Sequence, residues 1–460
     1  MEGTSVTGVV SRGTAWLMST TLLIKVIGVF SVLLTLNHLT VYEYGFAELV
    51  ITAVPLLSLF LLPGLNVTVI ADMGLERGKG DLPRMKGLLL SFLRLQVLFS
   101  VLIFAIVFFG VHVLAVWYGK PDAAFLFEII SFSFLVSPIR TTAQTLQSVY
   151  FRFRQQSIQT ILEEVWKLLL LVVFFFVFNM SAAGLVLAIV LSQVFALISI
   201  AVPFSRIDPL LWKTRAVHYS TFYFLWHHGK WGIFSSYLGT VGKNIRPWIV
   251  KFFLGTEAVA IFAVVQGLIG HTVSLVPLDL IVKPMFPQYV HMKERFYRFI
   301  TKAVKYELLV YIFVSVAAMA FSPFLIAWFF PQYVPAVPLF QIMLIMLISS
   351  AFDTIFTGVF YALQAQRNLF WASAYKLFLT LLLMPPLLHF FGLFGIAYAN
   401  IIVNYLYVWE RYLTLKRLMP DFRLEWRSFF TVDDIDRTIV AQIRRYVLKK
   451  LEVFPQRKRF

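Results

Sequence analysis

Ten lysines and arginines lie inside stretches that are otherwise long enough and apolar enough to cross a bilayer. They are Lys25, Arg94, Arg140, Lys167, Lys243, Arg246, Lys251, Lys283, Lys305 and Lys376. A cation at the centre of a spanning helix costs roughly 2.5–3.5 kcal/mol even on the lenient insertion scale. Lys283, Lys305 and Lys376 fall near predicted helix ends and can snorkel to the headgroups. The other seven would together cost roughly 20 kcal/mol if they faced lipid. A wet, positively charged interior is the cheaper arrangement, and it suits a large anionic cargo. Lys243 and Arg246 are spaced i, i+3 and so share a helix face. Arg140 follows Pro138 by two residues, and Arg94 stands on the preceding apolar run. Guanidinium forks match a pyrophosphate or an acidic sugar. The opposing expectation is that each cation pairs with a buried carboxylate and only holds helices together. The candidate carboxylates are Glu48, Glu163, Glu164, Asp279 and Asp353. Seven deep cations exceed them. This favours an anion-attracting cavity faced by Lys25, Lys243 and Arg246, with Arg94 and Arg140 in support.

The carboxylates suggest two further roles. Glu163 and Lys167 are spaced i, i+4 in the favourable order, which predicts a structural pair, with ion coupling as the alternative. Asp279 and Lys283 repeat that spacing. Asp353 has no cation at i±3 or i±4, so it is either a proton-carrying coupling site or the partner of an arginine from another helix. Asn400 and Asn404 share a face, as do Gln144 and Gln147. Such amides contact sugar hydroxyls or, more commonly, bridge helices. Gly74–Gly80 is one residue short of a phosphate-binding loop and lacks its Ser/Thr, so no ATP use is implied. The eight histidines show no zinc-ligand spacing, and the chain has no cysteine. No cofactor and no metal is therefore expected, nor a cysteine nucleophile.

These residues must be positioned by membrane helices. Of the 460 residues, 60% are hydrophobic and only 14% charged, against about 25% charged in a soluble domain. The fold class expected is an all-α polytopic membrane protein. A window of about 20 residues predicts twelve spans, near 13–36, 46–70, 88–111, 123–147, 159–179, 183–204, 232–254, 257–283, 304–330, 338–362, 371–391 and 393–410. The first is too long for a signal-peptide core and lacks a small-residue cleavage site. Of the 40 Lys and Arg, 29 fall in one alternate set of connections and only Lys120 in the other. The positive-inside rule then places both termini in the cytoplasm. The net charge of +17 thus follows topology, and no nucleic-acid partner is implied. The longest inner connection divides the chain into a six-helix bundle over 1–204, a cytoplasmic linker over 205–231, a second six-helix bundle over 232–415 and a basic tail over 416–460. Within the tail, Ile435, Ile439, Ile443, Tyr446, Val447 and Leu451 alternate with basic residues at helical spacing. That predicts an amphipathic helix lying on an anionic leaflet or on the protein's own cytoplasmic face.

The halves open alike: Leu39-Thr-Val-Tyr-Glu-Tyr-Gly-Phe-Ala follows the first span, and Leu254-Gly-Thr-Glu-Ala-Val-Ala-Ile-Phe-Ala the seventh. Parallel repeats suit a two-lobed transporter. With Lys25-Val-Ile-Gly-Val-Phe, Tyr44-Gly45 and Gly64-Leu-Asn, this 6+6 pattern resembles the polysaccharide-type flippases of the multidrug/oligosaccharidyl-lipid/polysaccharide exporter superfamily over about residues 1–415. The resemblance implies a non-enzymatic flippase of the cell inner membrane. It would move a polyprenyl-pyrophosphate-linked anionic oligosaccharide by alternating access, among membrane lipids and polysaccharide assembly proteins. The alternatives are a multidrug extruder of the same superfamily, whose cationic drugs this interior would repel, and a polysaccharide polymerase or ligase. The last needs catalytic groups at the outer face, where every connection is short.

Overall fold

The computed structural model describes residues 6–61, 65–118, 122–205, 208–217, 230–274, 285–424, 429–431, 434 and 436. Helices dominate, and no strand occurs among the described residues. Asp279, Lys283 and the tail beyond Asp436 lie outside them.

Each predicted span has its helical counterpart. The first half holds α1 (Val6–His38), α2 (Val41–Leu57), α3 (Leu65–Lys79), α4 (Leu82–Tyr118), α5 (Asp122–Val149), α6 (Phe153–Val172) and α7 (Ala182–Ser205). A short α8 (Pro209–Lys213) precedes α9 (Lys230–Leu254) and α10 (Thr256–Ser274). Then come α11 (Phe286–Tyr289), α12 (Lys293–Phe329), α13 (Ala336–Met343), α14 (Met346–Ala362), α15 (Gln366–Phe391) and α16 (Leu393–Leu418). Seven helices of the described chain are long and apolar enough to cross a membrane, or eight if the pair α13–α14, bent by 43°, is one span. Charges within α6 and α9, and Asn400, Asn404 and several tyrosines within α16, lower the apolarity of these helices. The chain is a multi-pass membrane protein.

Two predicted spans are broken. In the second, over 46–70, Pro55 and Pro63 predict a kink, and Pro63 lies outside the described residues. Here α2 contains Pro55, tightens into a 3-10 turn at Ser58–Leu61, and the chain restarts as α3. The freed backbone is caught by neighbours: Gln96 Nε2 donates to the Leu61 carbonyl at 2.7 Å, and Ser58 Oγ to that of Val54 at 2.7 Å. That is the condition for irregular backbone at membrane depth. The tenth span is the bent pair α13–α14.

The chain separates into two compact units, Met1–Ala260 and Ile261–Phe460. In unit 1, α4 packs on α5, α6 on α1 and α7, and α2 on α9. One apolar core joins Phe46 and Val50 to Ile130, Phe175 and Val186. A second, at the predicted cytoplasmic end, joins Val69, Met73, Leu89, Phe92, Leu146 and Leu211. Leu211 belongs to α8, so the start of the predicted linker is tied to unit 1. Asp208 caps α8 through the Leu210 and Leu211 amides and accepts a short hydrogen bond from Tyr150. Lys86 donates to the Trp212 and Thr214 carbonyls at the end of α8, both at 2.7 Å, where a cation offsets unpaired carbonyls. Burial, helped by the Asp208 carboxylate, raises the Tyr150 phenol above its ordinary range and keeps it a donor.

The two openings that read as repeats meet within unit 1. Thr40 and Glu43 form a reciprocal capping box at the start of α2. One turn later Gly45 lies against the start of α10: a Cβ there would stand 2.1 Å from the Thr256 carbonyl oxygen. Only glycine permits that approach.

Unit 2 packs α14 between α12 and α16, with α15 on α16. Its core includes Phe299, Ile300, Phe356, Val359 and Leu415, and it continues into the predicted tail through Met419 and Phe422. Lys302, fully buried, donates to Asp436 Oδ2 at 2.6 Å and to the Thr431 carbonyl at 2.6 Å. Tyr306 donates to Asp436 Oδ1 at 2.8 Å, and Lys305 approaches that oxygen at 3.3 Å. Met419, Phe422, Thr431 and Asp436 of the predicted tail are thus built into unit 2.

Candidate functional site

All five residues expected to bind an anion belong to unit 1: Lys25 on α1, Arg94 on α4, Arg140 on α5, and Lys243 with Arg246 on α9. Helix geometry sets their depths. His38 stacks on Phe175 at 4.3 Å between ring centroids, which aligns α1 alongside α6. Thirteen residues back at 1.5 Å each, about 20 Å deeper, Lys25 reaches the level of Leu162 and Glu163. Arg140 bridges to Glu163 at 2.9 Å from α5. Lys25, Arg140 and Glu163 therefore share one depth. Arg246 lies eight residues from the end of α9, or about 12 Å, nearer the predicted outer surface. Lys243 is one turn deeper, within electrostatic reach of Glu48 on α2.

Arg94 does not join them. It is exposed on the stripe of α4 that continues through Leu98, Leu102, Ile106 and Phe109. From Arg94 to Tyr118 the helix runs 24 residues, about 36 Å, longer than the roughly 30 Å of a hydrocarbon core. Arg94 can thus reach the predicted cytoplasmic headgroups by snorkelling. The apolar window had ended too early to reveal this.

The cations are partly answered by carboxylates, with partners that differ from the local expectation. Glu163 pairs with Arg140 rather than with Lys167, and Lys167 turns to Glu164 at 2.5 Å, spaced i, i+3. The reason is geometric: Glu163 points across to α5. Asp353 accepts a short bond from Arg411 on α16, which also donates to Thr357 Oγ1 at 2.6 Å. Arg411 lies over the Tyr407 ring at 4.5 Å, with Lys376 over the same ring at 4.4 Å. Arg411 went unread because the predicted span stopped at 410, one residue short of it. The amides behave mostly as helix fittings. Asn400 and Asn404 donate to carbonyls of their own helix at 2.8 and 2.7 Å, and Asn404 also reaches Met346 on α14.

Two guanidinium groups of unit 1 keep unmatched donors. Arg246 Nε and Arg140 Nε are buried without a hydrogen-bond partner. An unpaired buried donor costs about 1–3 kcal/mol, more when charged. Unit 1 therefore carries Lys243 with Arg246 on α9, and Lys25 with the Glu163-paired Arg140, at overlapping depths. No group of three or more metal-ligating side chains occurs among the described residues.

Comparisons with known proteins agree with this architecture. An inward-facing multidrug resistance MATE family transporter of the MOP superfamily superposes with a TM-score of 0.72 at 13% identity, over 86% of this chain and 96% of that one. An outward-facing MATE transporter gives 0.66 at 12% identity, over 90% and 96%. A MOP superfamily transporter from Pyrococcus furiosus, described as having a binding pocket of reverse polarity, gives 0.62 at 12% identity, over 89% and 96%. These likenesses show the fold. No curated protein sequence matches the chain. The model of the family described as polysaccharide biosynthesis protein matches residues 10–290. With that match over more than half its length, the chain belongs to the polysaccharide biosynthesis protein family and has the fold of the MOP-superfamily transporters.

Proposed function

We propose that this protein is a flippase that carries a polyprenyl-pyrophosphate-linked anionic oligosaccharide across the inner membrane by alternating access, with both termini cytoplasmic. The observation that carries the reading is the pair Lys243 and Arg246. They stand one turn apart on a membrane helix, with Glu48 as their neighbouring carboxylate and a buried Arg246 donor left unmatched. Diphosphate oxygens complement such a group, and Coulomb attraction in a partly desolvated site is several-fold stronger than in bulk water. Lys25, 13 residues from the outer end of α1 as Lys243 is 11 from that of α9, adds positive charge at a similar depth, while Arg140 is answered by Glu163. Membership in a polysaccharide biosynthesis family supports a glycan cargo.

A multidrug extruder is the second reading, favoured by the fold of the solved neighbours. The interior charge opposes it. The test is flipping of a lipid-linked oligosaccharide in proteoliposomes with matched protein amount, beside uptake of a cationic dye. Lys25→Ala, Lys243→Ala and Arg246→Ala are expected to cut flipping at least tenfold. Arg246→Lys should rescue in part, because a point charge replaces a bidentate fork, and Arg246→Glu should be worst. Parent rates in all of these variants, or dye transport without flipping, would overturn the proposal.

A further inference from the structure

The interface between α5 and α6 is chemically unlike the rest of unit 1. The two helices are consecutive and antiparallel, joined at Tyr150–Arg152. The Arg140–Glu163 bridge sets their register, so positions that sum to about 303 stand opposite. Gln144 then faces Gln159, Gln147 faces Gln156, and Ser137 faces Trp166. On α5, Ser133, Ser137, Arg140, Gln144 and Gln147 fall on one face at spacings of three and four. Yet α5 packs chiefly against α4 and α7, and α6 against α1 and α7. The hairpin is splayed along its polar seam.

The seam is left chemically open. Ser133 Oγ, Arg140 Nε, Gln147 Oε1, Gln155 Oε1, Gln159 Oε1 and Trp166 Nε1 are buried with no hydrogen-bond partner. Gln147 and Gln159 are each only 1% exposed. Buried polar atoms are normally satisfied, and each orphan costs about 1–3 kcal/mol. So many along one seam, from two facing helices, are unusual unless something polar completes them. Arg140 is a third exposed there, which gives the seam an opening.

The charges along the seam are balanced, since Arg140 answers Glu163 and Lys167 answers Glu164. The remaining groups are amides, hydroxyls and an indole. Amide oxygens accept from hydroxyls, the indole N–H donates to them, and the rings of Trp166 and Phe195, 5.2 Å apart and tilted by 52°, add apolar surface beside them. An anion needs more net charge, and an apolar drug would strand the amides.

We infer that the α5–α6 seam is a neutral saccharide-binding subsite, which reads the sugar hydroxyls of the cargo separately from the Lys243–Arg246 level. The inference rests on the flippase reading and adds that recognition is divided between an anion level and a polyol seam. The division permits different glycans to be selected by changing amides without touching the phosphate site.

The native chain has no cysteine, so single thiols report each level. The probes are inorganic pyrophosphate and a panel of neutral tri- to pentasaccharides of gluco, galacto, manno and N-acetylated configuration. A thiol introduced by Gln144→Cys should be protected from a small maleimide by at least one saccharide and not by pyrophosphate. A thiol introduced by Gly239→Cys, one turn from Lys243 and with nothing within 4 Å of an added Cβ, should show the reverse. Adding Gln147→Leu and Gln159→Leu to the Gln144→Cys protein should weaken saccharide protection at least tenfold and leave folding intact. Replacing orphaned amides by apolar groups of similar size is near neutral or stabilising. If no saccharide protects the Gln144→Cys thiol, or the leucine changes leave protection unaltered, the subsite does not exist and water fills the seam. If pyrophosphate fails to protect the Gly239→Cys thiol while saccharides protect the Gln144→Cys thiol, the anion site of the flippase reading fails and the seam stands.

Discussion

Arg411 shows how this chain buries a cation against a carboxylate of another helix, although its Nε, like those of Arg140 and Arg246, has no partner. It is 4% exposed at its side chain, bonded to Asp353 and Thr357, and stacked on Tyr407. Asp353 is about a third exposed. Asp353→Asn should lower thermal stability by about 3 kcal/mol, the low end for stripping one partner from a buried ion pair. Combining Asp353→Asn with Arg411→Met should restore most of it. Thermal unfolding in detergent measures both. If the single variant is as stable as the parent while its transport loses dependence on a proton gradient, Asp353 couples ions and is no mere anchor. Glu163 makes the same point in unit 1. Glu163→Gln should cost more stability than Glu164→Gln, because Arg140 is drawn across a helix gap while Lys167 and Glu164 are about a quarter exposed on one helix. Surface-like pairs of that kind contribute at most about 1 kcal/mol. Equal losses would contradict this ordering. Charge excess was legible from residue types alone. Partner choice was not, because spacing reports neighbours along a helix and says nothing about the helix opposite.

The helices were legible because hydropathy reads burial in lipid, and twelve apolar windows found twelve helical counterparts. Their ends were not. A helix continues past the hydrocarbon as long as its backbone bonds persist, so α4 and α12 reach 37 residues each, and Arg94 and Arg411 changed meaning accordingly. The kink in the second span was legible from its prolines, but the distant amide that catches the Leu61 carbonyl, Gln96, is one no local window sees. Gly45 lies between these cases. Its repeat-like context was visible in the sequence, and its reason, the approach to the Thr256 carbonyl, is spatial. Gly45→Ala should force α2 and the start of α10 apart, because the obstructing atom is backbone and cannot rotate away. A loss of about 1–3 kcal/mol, typical of overpacking, is expected, with a matching fall in folded yield. Gly28→Ala is the control, since nothing lies within 4 Å of a Cβ there. Equal yield and unfolding temperature for both variants would refute the tight crossing.

At the scale of the molecule, charge placement predicts topology and the tail tests how much of the chain the fold needs. With 29 cations on one set of connections and one on the other, a thiol at Ser181 should react with an impermeant external reagent and one at Ser220 should not. The opposite pattern would invert the protein. The tail read as an accessory because its charges end the apolar pattern at 410. In the structure its first part completes unit 2: Met419 and Phe422 are buried in the core, and Asp436, 1% exposed, neutralises fully buried Lys302. Truncation after Lys416 removes both contributions and leaves Lys302 without the Asp436 carboxylate or the Thr431 carbonyl. Such a protein should fail to accumulate in folded form, and so should report nothing about cargo. Finer variants separate the causes. Asp436→Asn alone should cost about 3–5 kcal/mol, as expected when one charge of a buried pair is stranded. Lys302→Met with Asp436→Leu should return stability to within about 1 kcal/mol of the parent, since an apolar pair of similar volume replaces ions that were costly to desolvate. Unfolding temperatures of the purified variants decide the matter. A truncated protein that melts with the parent, or an Asp436→Asn variant no less stable, would show that the tail rests on unit 2 without holding it together.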